Sequence, residues 1–219
     1  MIITIDGPAG AGKSTVSREV AKRLGFLYLD TGAMYRACAL FMLQKGIPLD
    51  NEELISSHLK DLNIKFKNGR IFLNGEDVSD KIRTPEIDLA ASDISRIPSV
   101  RKKLTSIQRS IGENSDLVAE GRDMGTVVFP NADLKLFLTA SPEERAKRRK
   151  KELYKKGDII SLDIILHQIK KRDKADTERA IAPLKPAEDS ITLDSSNLSA
   201  EEVVKEIIKF ANSIDRRKR

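Results

Sequence analysis

The sequence predicts an α/β fold in which helices cover both faces of a twisted parallel sheet. A β-branched run, Ile2–Ile5, is followed by a glycine-rich turn and then by apolar residues at helical spacing, Val16–Leu24. A second apolar run, Phe26–Leu29, precedes a second helical segment, Met34–Leu43. The run Leu134–Leu138 predicts a further core strand later in the chain. Strands that alternate with helices in this way are typical of parallel sheets.

The middle of the chain interrupts this alternation. Ile64 and Phe66 alternate with lysines, Ile71 and Leu73 follow, and Asn-Gly pairs at 68–69 and 74–75 are typical of hairpin turns. A mostly helical stretch, Pro85–Ile111, is broken at Pro98 and leads to a core strand at 117–119. The sequence therefore predicts a small antiparallel sheet with helices, inserted into the α/β pattern.

Two helix starts mark the C-terminal third. Ser141 is placed as an N-cap, with Pro142 at the first helical position and Glu144 reaching back to the cap, and the helix that follows is very basic. After a strand at 191–193, the residues Ser199–Glu202 form a second capping box and open a last amphipathic helix.

These elements predict a single domain over residues 1–219. Its core comprises residues 1–60 and 105–219, and the inserted lobe covers about residues 61–104. The basic tail, Arg216–Arg219, is expected to be solvated. A monomer is expected, because two lobes can close around small substrates without a partner surface.

The composition favours a folded domain that binds anions. The chain has 219 residues, 40% of them hydrophobic and 33% charged, and a net charge of +6. With aromatic residues at only 5% and no Trp, few platforms are available for stacking nucleic-acid bases. The single cysteine, Cys38, cannot form an internal disulfide and is expected to pack in the core.

No apolar stretch is as long as a membrane helix, and the glycine-rich loop begins at Gly7, which leaves no room for a signal peptide before it. We therefore expect a cytoplasmic protein without a membrane partner. His58 and His167 lack neighbours with metal-ligand spacing, so no zinc site is expected.

The glycine-rich turn matches the phosphate-binding pattern G-x-x-x-x-G-K-[ST], after a strand and at the start of a helix. Its backbone N–H groups and the helix N-terminus can hold a polyphosphate, Lys13 can reach the β and γ phosphates, and Ser14 can ligate Mg²⁺. The guanine-binding string Asn-Lys-x-Asp and the switch string Asp-x-x-Gly do not occur, which disfavours a GTPase. The predicted class is a P-loop NTPase-type fold, with ATP bound by Gly7, Pro8, Ala9, Gly10, Ala11, Gly12, Lys13, Ser14 and Thr15.

Three further motifs give the chain a family resemblance. The segments Asp30–Arg36, Glu120–Thr126 and Arg172–Arg179, together with the phosphate loop, resemble bacterial cytidylate kinase, a nucleoside monophosphate kinase. The likeness spans nearly the whole chain, and the middle segment resembles the enlarged monophosphate-binding insert of that family. The resemblance implies transfer of the γ-phosphoryl group of ATP to CMP or dCMP, with Mg²⁺ arriving with ATP.

The resemblance also implies roles for the acceptor-site residues. Arginine forks suit phosphate oxygens, and a carboxylate can accept from the exocyclic amine of cytosine. The CMP phosphate is assigned to Arg36, Arg122 and Arg179, the base to Asp123, Ser92, Arg101 and Thr31, and the sugar hydroxyls to Arg172 and Asp176.

Alternatives to these roles remain open at this stage. Asp123 could instead satisfy nearby backbone N–H groups, and Asp176 could form an ordinary helix pair with Arg172 or Arg179. Tyr35 could belong to the core, and Glu120 stands where the family often has Asp.

Arg145, Arg148 and Arg149 fall at helical spacing on one face of the basic helix. The resemblance makes the segment of about residues 143–158 a lid over the ATP phosphates, with these arginines and Lys13 as the catalytic cations. A solvated basic helix or an RNA-facing patch is the alternative. The acceptor phosphate is already an anionic nucleophile at neutral pH, so no general base is assigned.

Two other functions compete with the leading one. A P-loop kinase for another small acceptor would share the donor site, and a nucleic-acid-binding ATPase would use the basic helix and tail. RNA-stimulated hydrolysis with steep salt dependence would distinguish the second from a kinase.

Overall fold

A computed structural model describes residues 1–67, 69–155 and 157–218, with side chains through Ile214. Asn68 of the first predicted turn and the side chains of the basic tail lie outside the described residues. The chain forms two compact units: residues 1–29 with 115–219, and residues 30–114. The insert expected over about residues 61–104 lies wholly within the second unit, and its boundaries stay a prediction.

The described elements follow in chain order. They are β1 (Ile2–Asp6), α1 (Lys13–Leu24), β2 (Leu27–Asp30), α2 (Thr31–Gln44), α3 (Glu52–His58), β3 (Ile64–Lys67), β4 (Arg70–Leu73), β5 (Glu76–Asp77), α4 (Pro85–Ile94), α5 (Pro98–Glu113), β6 (Leu117–Gly121), β7 (Leu134–Thr139), α6 (Pro142–Lys155), α7 (Leu162–Glu178), β8 (Ile191–Asp194) and α8 (Ala200–Lys218). A π-helical turn, Met124–Val128, follows β6.

The larger unit is built on a five-stranded sheet with the order β2-β6-β1-β7-β8. The pairs β1–β6, β1–β7 and β7–β8 are parallel, and Ile5 lies opposite Glu120 on one side and Leu136 on the other. The α/β fold with a parallel central sheet is confirmed. Because β1 is central, the loop that follows it leaves the sheet between two neighbouring strands, as ligand-binding loops of open α/β sheets do.

One hydrophobic cluster fixes α1 and α8 against this sheet. Ile3 and Ile5 are fully buried and pack in one cluster with residues of α1, β6, β7 and α8, among them Val20 and Ile207. Full burial of one such side chain stabilises the fold by roughly 1.5–3 kcal/mol. A second, smaller cluster around Ala146, Ile165 and Ile169 holds α6 against α7, a helix that the sequence pattern did not delimit.

The two helix caps have different outcomes. At α8 the capping box is confirmed, because the Ser199 N–H donates to Glu202 and the Glu202 N–H donates to the Ser199 hydroxyl. At α6 the Glu144 N–H donates to Ser141 Oγ, but the Ser141 N–H donates to the hydroxyl of Ser196 instead of Glu144. The predicted return bond from Glu144 is therefore wrong, because tertiary structure supplies another acceptor.

The smaller unit contains the antiparallel sheet β3-β4-β5 and the helices α2 to α5. Asn74 and Gly75, with φ of 48° and 91°, form the tight turn between β4 and β5 that the Asn-Gly pair predicted. Helices α4 and α5 each have a proline in the first turn and are separated at Ile97. Cys38 is fully buried, and burial raises the pKa of its thiol to about 12, which confirms core packing.

Across the described ranges, no helix has the combination of length and apolar character needed to cross a membrane.

Candidate active site

The loop between β1 and α1 depends on its glycines. Gly7 has a φ of 150°, and a Cβ built there would lie 2.0 Å from the backbone oxygen of Leu138 in β7. Gly10 and Gly12 have φ of 77° and 94°, in the left-handed region, and a Cβ on Gly10 would lie 3.3 Å from Arg145 Cβ. The loop therefore adopts a conformation that other residues would strain, directly against β7 and α6.

Lys13 lies beneath this loop. Its side chain is buried, and Nζ donates to the Pro8 carbonyl at 2.8 Å, so the ammonium group is held inside the turn. Burial and the positive charge of Arg122 together lower the pKa of Lys13 to about 7, against the opposing effect of Glu120. A bound polyphosphate would favour the charged form of this lysine.

Ser14 and Thr15 follow in the first turn of α1, and both are exposed. The N-terminal N–H groups of a helix carry partial positive charge, so these two residues stand where an anion is stabilised. Their hydroxyl groups are accessible to a ligand at the same place.

Asp6 connects the end of β1 to the segment that follows β6. Its two carboxylate oxygens accept from the N–H groups of Met124 and Gly125 at 2.9 and 2.8 Å. Burial raises the pKa of Asp6 to about 6, although these two hydrogen bonds oppose the rise. The backbone just after Asp123 is thereby fixed to the strand that leads into the phosphate loop.

Asp176 pairs with Arg122. Arg122 Nε donates to Asp176 Oδ2 at 2.8 Å, which joins the end of β6 to α7. Although burial raises the pKa of Asp176, the guanidinium groups of Arg122, Arg172 and Arg179 together hold the pKa below its usual range. One partner of this carboxylate is thus an arginine 54 positions away in sequence. The charges of Arg172 and Arg179, the partners in the helix-pair alternative, also act on it.

Asp123 and Arg179 form a second buried pair, with Arg179 Nη2 at 3.5 Å from Asp123 Oδ1. Arg179 Nε also donates to the Ala182 carbonyl at 2.6 Å. Arg172 lies one turn before Asp176 on α7, and its positive charge also acts on the Asp176 carboxylate. The larger unit therefore gathers five of the predicted acceptor residues: Arg122, Asp123, Arg172, Asp176 and Arg179.

The basic helix α6 holds its three candidate arginines differently. Arg145 is buried, and Arg148 donates to the backbone oxygen of Ser195 at 2.6 Å and to its hydroxyl at 3.1 Å. Arg149 is partly exposed and pairs with Glu152 at 3.3 Å. Arg145 and Arg148 are thus fixed to the body of the unit, and Arg149 is the one whose guanidinium lies toward solvent.

The smaller unit carries the other four predicted acceptor residues. Arg36 donates through Nε to Asp88 at 2.6 Å. Arg101 is buried, donates to the Ser95 carbonyl at 3.1 Å and lies over the Tyr35 ring with Cζ 5.7 Å from its centroid. Thr31 is buried at the start of α2, and Ser92 is half-buried on α4. Tyr35 is only partly buried, and its ring forms one wall for Arg101.

Sequence reasoning missed several residues of these networks. Asp6 accepts from backbone N–H groups, and Asp173 accepts from Arg145. Asp88 accepts from Arg36, and Tyr28 donates to the buried Glu120. An acidic residue at the end of a β-branched strand was the available signal for Asp6. The others are visible only once distant segments are adjacent.

Within the described ranges, no three His, Cys, Asp or Glu side chains form a group that could hold a metal ion. A protein-built metal cage is therefore not part of the described site. An exposed hydroxyl, Ser14, lies at the phosphate loop, and Mg²⁺ characteristically takes one or two protein oxygens plus phosphate oxygens and waters. The donor set fits a cation that arrives bound to a polyphosphate.

Comparison with known proteins gives concordant results. A family model described as cytidylate kinase matches residues 3–213. A cytidylate kinase from Thermosipho melanesiensis is 51% identical over 207 residues, covering 94% of this chain and 94% of that protein. A bifunctional pantoate ligase/cytidylate kinase from Prochlorococcus marinus is 51% identical over 218 residues, covering 97% of this chain and 42% of that protein.

Among solved structures, a shikimate kinase from Bacteroides thetaiotaomicron is similar with a TM-score of 0.50 and 11% identity, over 97% of this chain and 98% of that one. At this identity the likeness concerns the fold alone, and it agrees with the predicted P-loop kinase architecture.

Proposed function

The chain belongs to the cytidylate kinase family, and on that premise we propose how its residues bind ATP and CMP and transfer the phosphoryl group. The chain is a phosphotransferase that acts on CMP. The observation that carries this assignment is 51% identity to a cytidylate kinase over nearly the full length of both chains. The comparisons support the kinase prediction and give no support to a nucleic-acid-binding ATPase. The reaction is ATP + CMP giving ADP + CDP, and dCMP is proposed as a second acceptor.

ATP binds at the phosphate loop, residues 7–15. The glycine conformations and the start of α1 direct N–H groups toward the phosphates, and Lys13 supplies a positive charge from inside the turn. Because the loop is already folded against β7 and α6, binding requires little ordering of the chain.

Mg²⁺ is proposed to be held by Ser14 together with the ATP phosphates. When bound, the ion supplies neutralisation of charge on the transferring group and orients its oxygens. Ser14 is suited to this because its hydroxyl is exposed at the loop and no described cluster of carboxylates competes for the cation.

The acceptor CMP is proposed to be held through its phosphate and its sugar hydroxyls. Arg36, Arg122 and Arg179 bind its phosphate, and Arg172 and Asp176 contact the sugar hydroxyls. Arg122 and Arg179 are already paired with carboxylates. A bound phosphate would therefore share guanidinium groups whose orientation is set in advance, which lowers the entropic cost of binding.

Base recognition is proposed for Asp123, Ser92, Arg101 and Thr31. A buried carboxylate at Asp123 can accept from the exocyclic amine of cytosine, whereas uracil presents an oxygen there. Rejection of UMP then follows from the repulsion and the unsatisfied acceptor that its binding would leave.

Catalysis is proposed to rest on position and charge. The acceptor phosphate is an anionic nucleophile at neutral pH, so the chain need not remove a proton from it. Lys13 acts from below the loop. Of the three α6 arginines predicted as catalytic, Arg145, Arg148 and Arg149, the third is proposed to reach the phosphates from the lid segment of about residues 143–158, because the first two donate to groups of the protein. A monomer is proposed as the working form.

The test is ADP release coupled to a detectable reaction, with ATP, Mg²⁺ and CMP, dCMP, UMP, AMP or GMP, against a blank without acceptor. Turnover that depends on CMP and dCMP over a low blank is expected. Lys13→Met should lose most turnover while CMP binding survives, and Lys22→Met, at an exposed site on the same helix, should match the wild type.

Three results would contradict this assignment. Turnover with AMP or GMP in place of CMP would indicate a kinase for another acceptor. Acceptor-independent hydrolysis stimulated by RNA would indicate the nucleic-acid-binding ATPase. Full activity of Lys13→Met would refute the proposed donor site.

A further inference from the structure

All three guanidinium nitrogens of Arg145 donate hydrogen bonds to groups of the protein. Its Nε donates to the Ala140 carbonyl at 2.8 Å, and Nη1 donates to the Ala9 carbonyl at 3.1 Å. The carboxylate of Asp173 accepts hydrogen bonds from Nη1 at 3.0 Å and from Nη2 at 2.7 Å, which makes the pair bidentate. The Arg145 side chain is only 4% exposed. A guanidinium with this many partners, and so little contact with solvent, has one orientation.

The Ala9 carbonyl belongs to the phosphate loop, so this contact bears on the loop's geometry. The peptide bonds of the described chain are all trans, which means that the Ala9 C=O and the Gly10 N–H point in opposite directions. An Ala9 carbonyl bound to Arg145 on the protein side therefore leaves the Gly10 N–H directed away from α6. Gly10 itself is exposed, so that N–H is available to an anion.

Asp173 is the group that makes this arrangement possible. A buried guanidinium without a countercharge is strongly destabilised, and Asp173 is the acid that pairs with Arg145. Asp173 lies on α7, next to Arg172 and three positions before Asp176, so its helix also carries residues proposed for the acceptor. The pair thus connects α7, through α6, to the donor loop.

We propose that Asp173 is a positioning residue of the donor site: by neutralising and orienting Arg145, it fixes the Ala9–Gly10 peptide of the phosphate loop for binding of the nucleotide phosphates. This inference rests on the proposed function for its substrate. It assigns Arg145 to the support of the loop, whereas Arg149 is the arginine of α6 that lies toward solvent.

The test compares Asp173→Asn with the wild type. Asparagine keeps the size of the side chain but removes the charge and one of the two acceptors for Arg145. We expect the KM for ATP to rise about tenfold, as for loss of a charge-assisted hydrogen bond, and the KM for CMP to change less than about threefold. The Kd of ADP with Mg²⁺, measured by calorimetry without CMP, should rise by the same factor as the KM for ATP.

A control and a double variant sharpen the result. Glu178→Gln removes an exposed acid from the same helix, 4.0 Å from Lys174, and should leave both KM values unchanged. In the background of Arg145→Lys, the further change Asp173→Asn should raise the Kd of ADP by less than about threefold, because the residue acts through Arg145.

Two results for Asp173→Asn would overturn the proposal. A folded Asp173→Asn protein with wild-type affinity for ADP would overturn the proposal, and so would equal increases in the two KM values, which indicate a general structural defect. If Asp173→Asn does not fold, Asp173→Glu is tested in its place. This variant keeps the charge but moves the carboxylate, and it must still reduce the affinity for ADP more than the affinity for CMP. Wild-type protein that binds ADP but does not phosphorylate CMP would refute the proposed function instead. The comparison of the Kd of ADP between the wild type and Asp173→Asn would still test the role of Asp173.

Discussion

Replacement of Asp6 by asparagine isolates one buried carboxyl whose titration should be visible in the stability of the protein. Two effects oppose each other at this residue. Burial disfavours the ionised carboxylate, whereas the N–H groups of Met124 and Gly125 favour it. Burial prevails and raises the pKa to about 6 from an ordinary value of 3.8.

The sign and size of the effect follow from proton linkage. Between pH 4 and 6 the folded protein holds a proton on Asp6 that the unfolded chain has released, so the free energy of unfolding falls as the pH rises. One pKa unit corresponds to about 1.4 kcal/mol, so the full displacement amounts to about 3 kcal/mol. Most of it, about 2–3 kcal/mol, should appear between pH 4 and 7.

The assay is urea unfolding of the wild type and of Asp6→Asn at several pH values from 4 to 7. Because asparagine does not titrate, the difference between the two proteins isolates Asp6. The wild type should lose about 2–3 kcal/mol relative to the variant across this range.

Asp77→Asn serves as the control for this experiment. The hydrogen bond from Arg70 lowers the pKa of Asp77 to about 2. Its carboxylate is therefore ionised in the folded protein throughout the range, and its curve should run nearly parallel to that of the wild type. Parallel curves for Asp6→Asn would refute the reasoning, and a wild type that gains relative stability with pH would show that the two N–H groups outweigh burial.

Three further substitutions test the loop, the base contact and a cap. Gly7→Ala would place a Cβ 2.0 Å from the Leu138 oxygen, so thermal unfolding should show destabilisation by more than about 4 kcal/mol; a variant as stable as wild type would contradict this geometry. Asp123→Asn should lower the ratio of CMP to UMP turnover about tenfold or more in the ADP-release assay, since its amide can also donate to uracil; an unchanged ratio would mean that Asp123 does not read the base. Ser199→Ala removes the hydroxyl that caps α8 and should reduce the free energy of unfolding in urea by about 1 kcal/mol, and no loss would show that the cap is dispensable.

Much of the fold could be predicted because it is encoded locally. The period of apolar residues placed β1, α1 and α2, and the Asn-Gly pair at 74–75 placed the turn between β4 and β5. The glycines of the phosphate loop were recognisable from the sequence because the loop needs positive φ at these positions, which other residues rarely adopt. The capping box at Ser199 was equally local, since its two partners are three residues apart.

The tertiary structure alone decided which distant residues meet. The pairing of β1 with β6 and β7 and the bonds from Asp6 to the backbone after Asp123 join segments more than a hundred residues apart. With 39 basic and 33 acidic residues, the chain offers a very large number of nearly equivalent ion pairs. Helical spacing offered Arg172 and Arg179 as partners for Asp176, but it gave no indication of the pair that Asp176 forms with Arg122 or of the pair between Arg145 and Asp173. The reason is that the energy of a charge pair depends on its distance and burial, and both are set by tertiary packing, such as that of α6 against α7, rather than by separation along the chain.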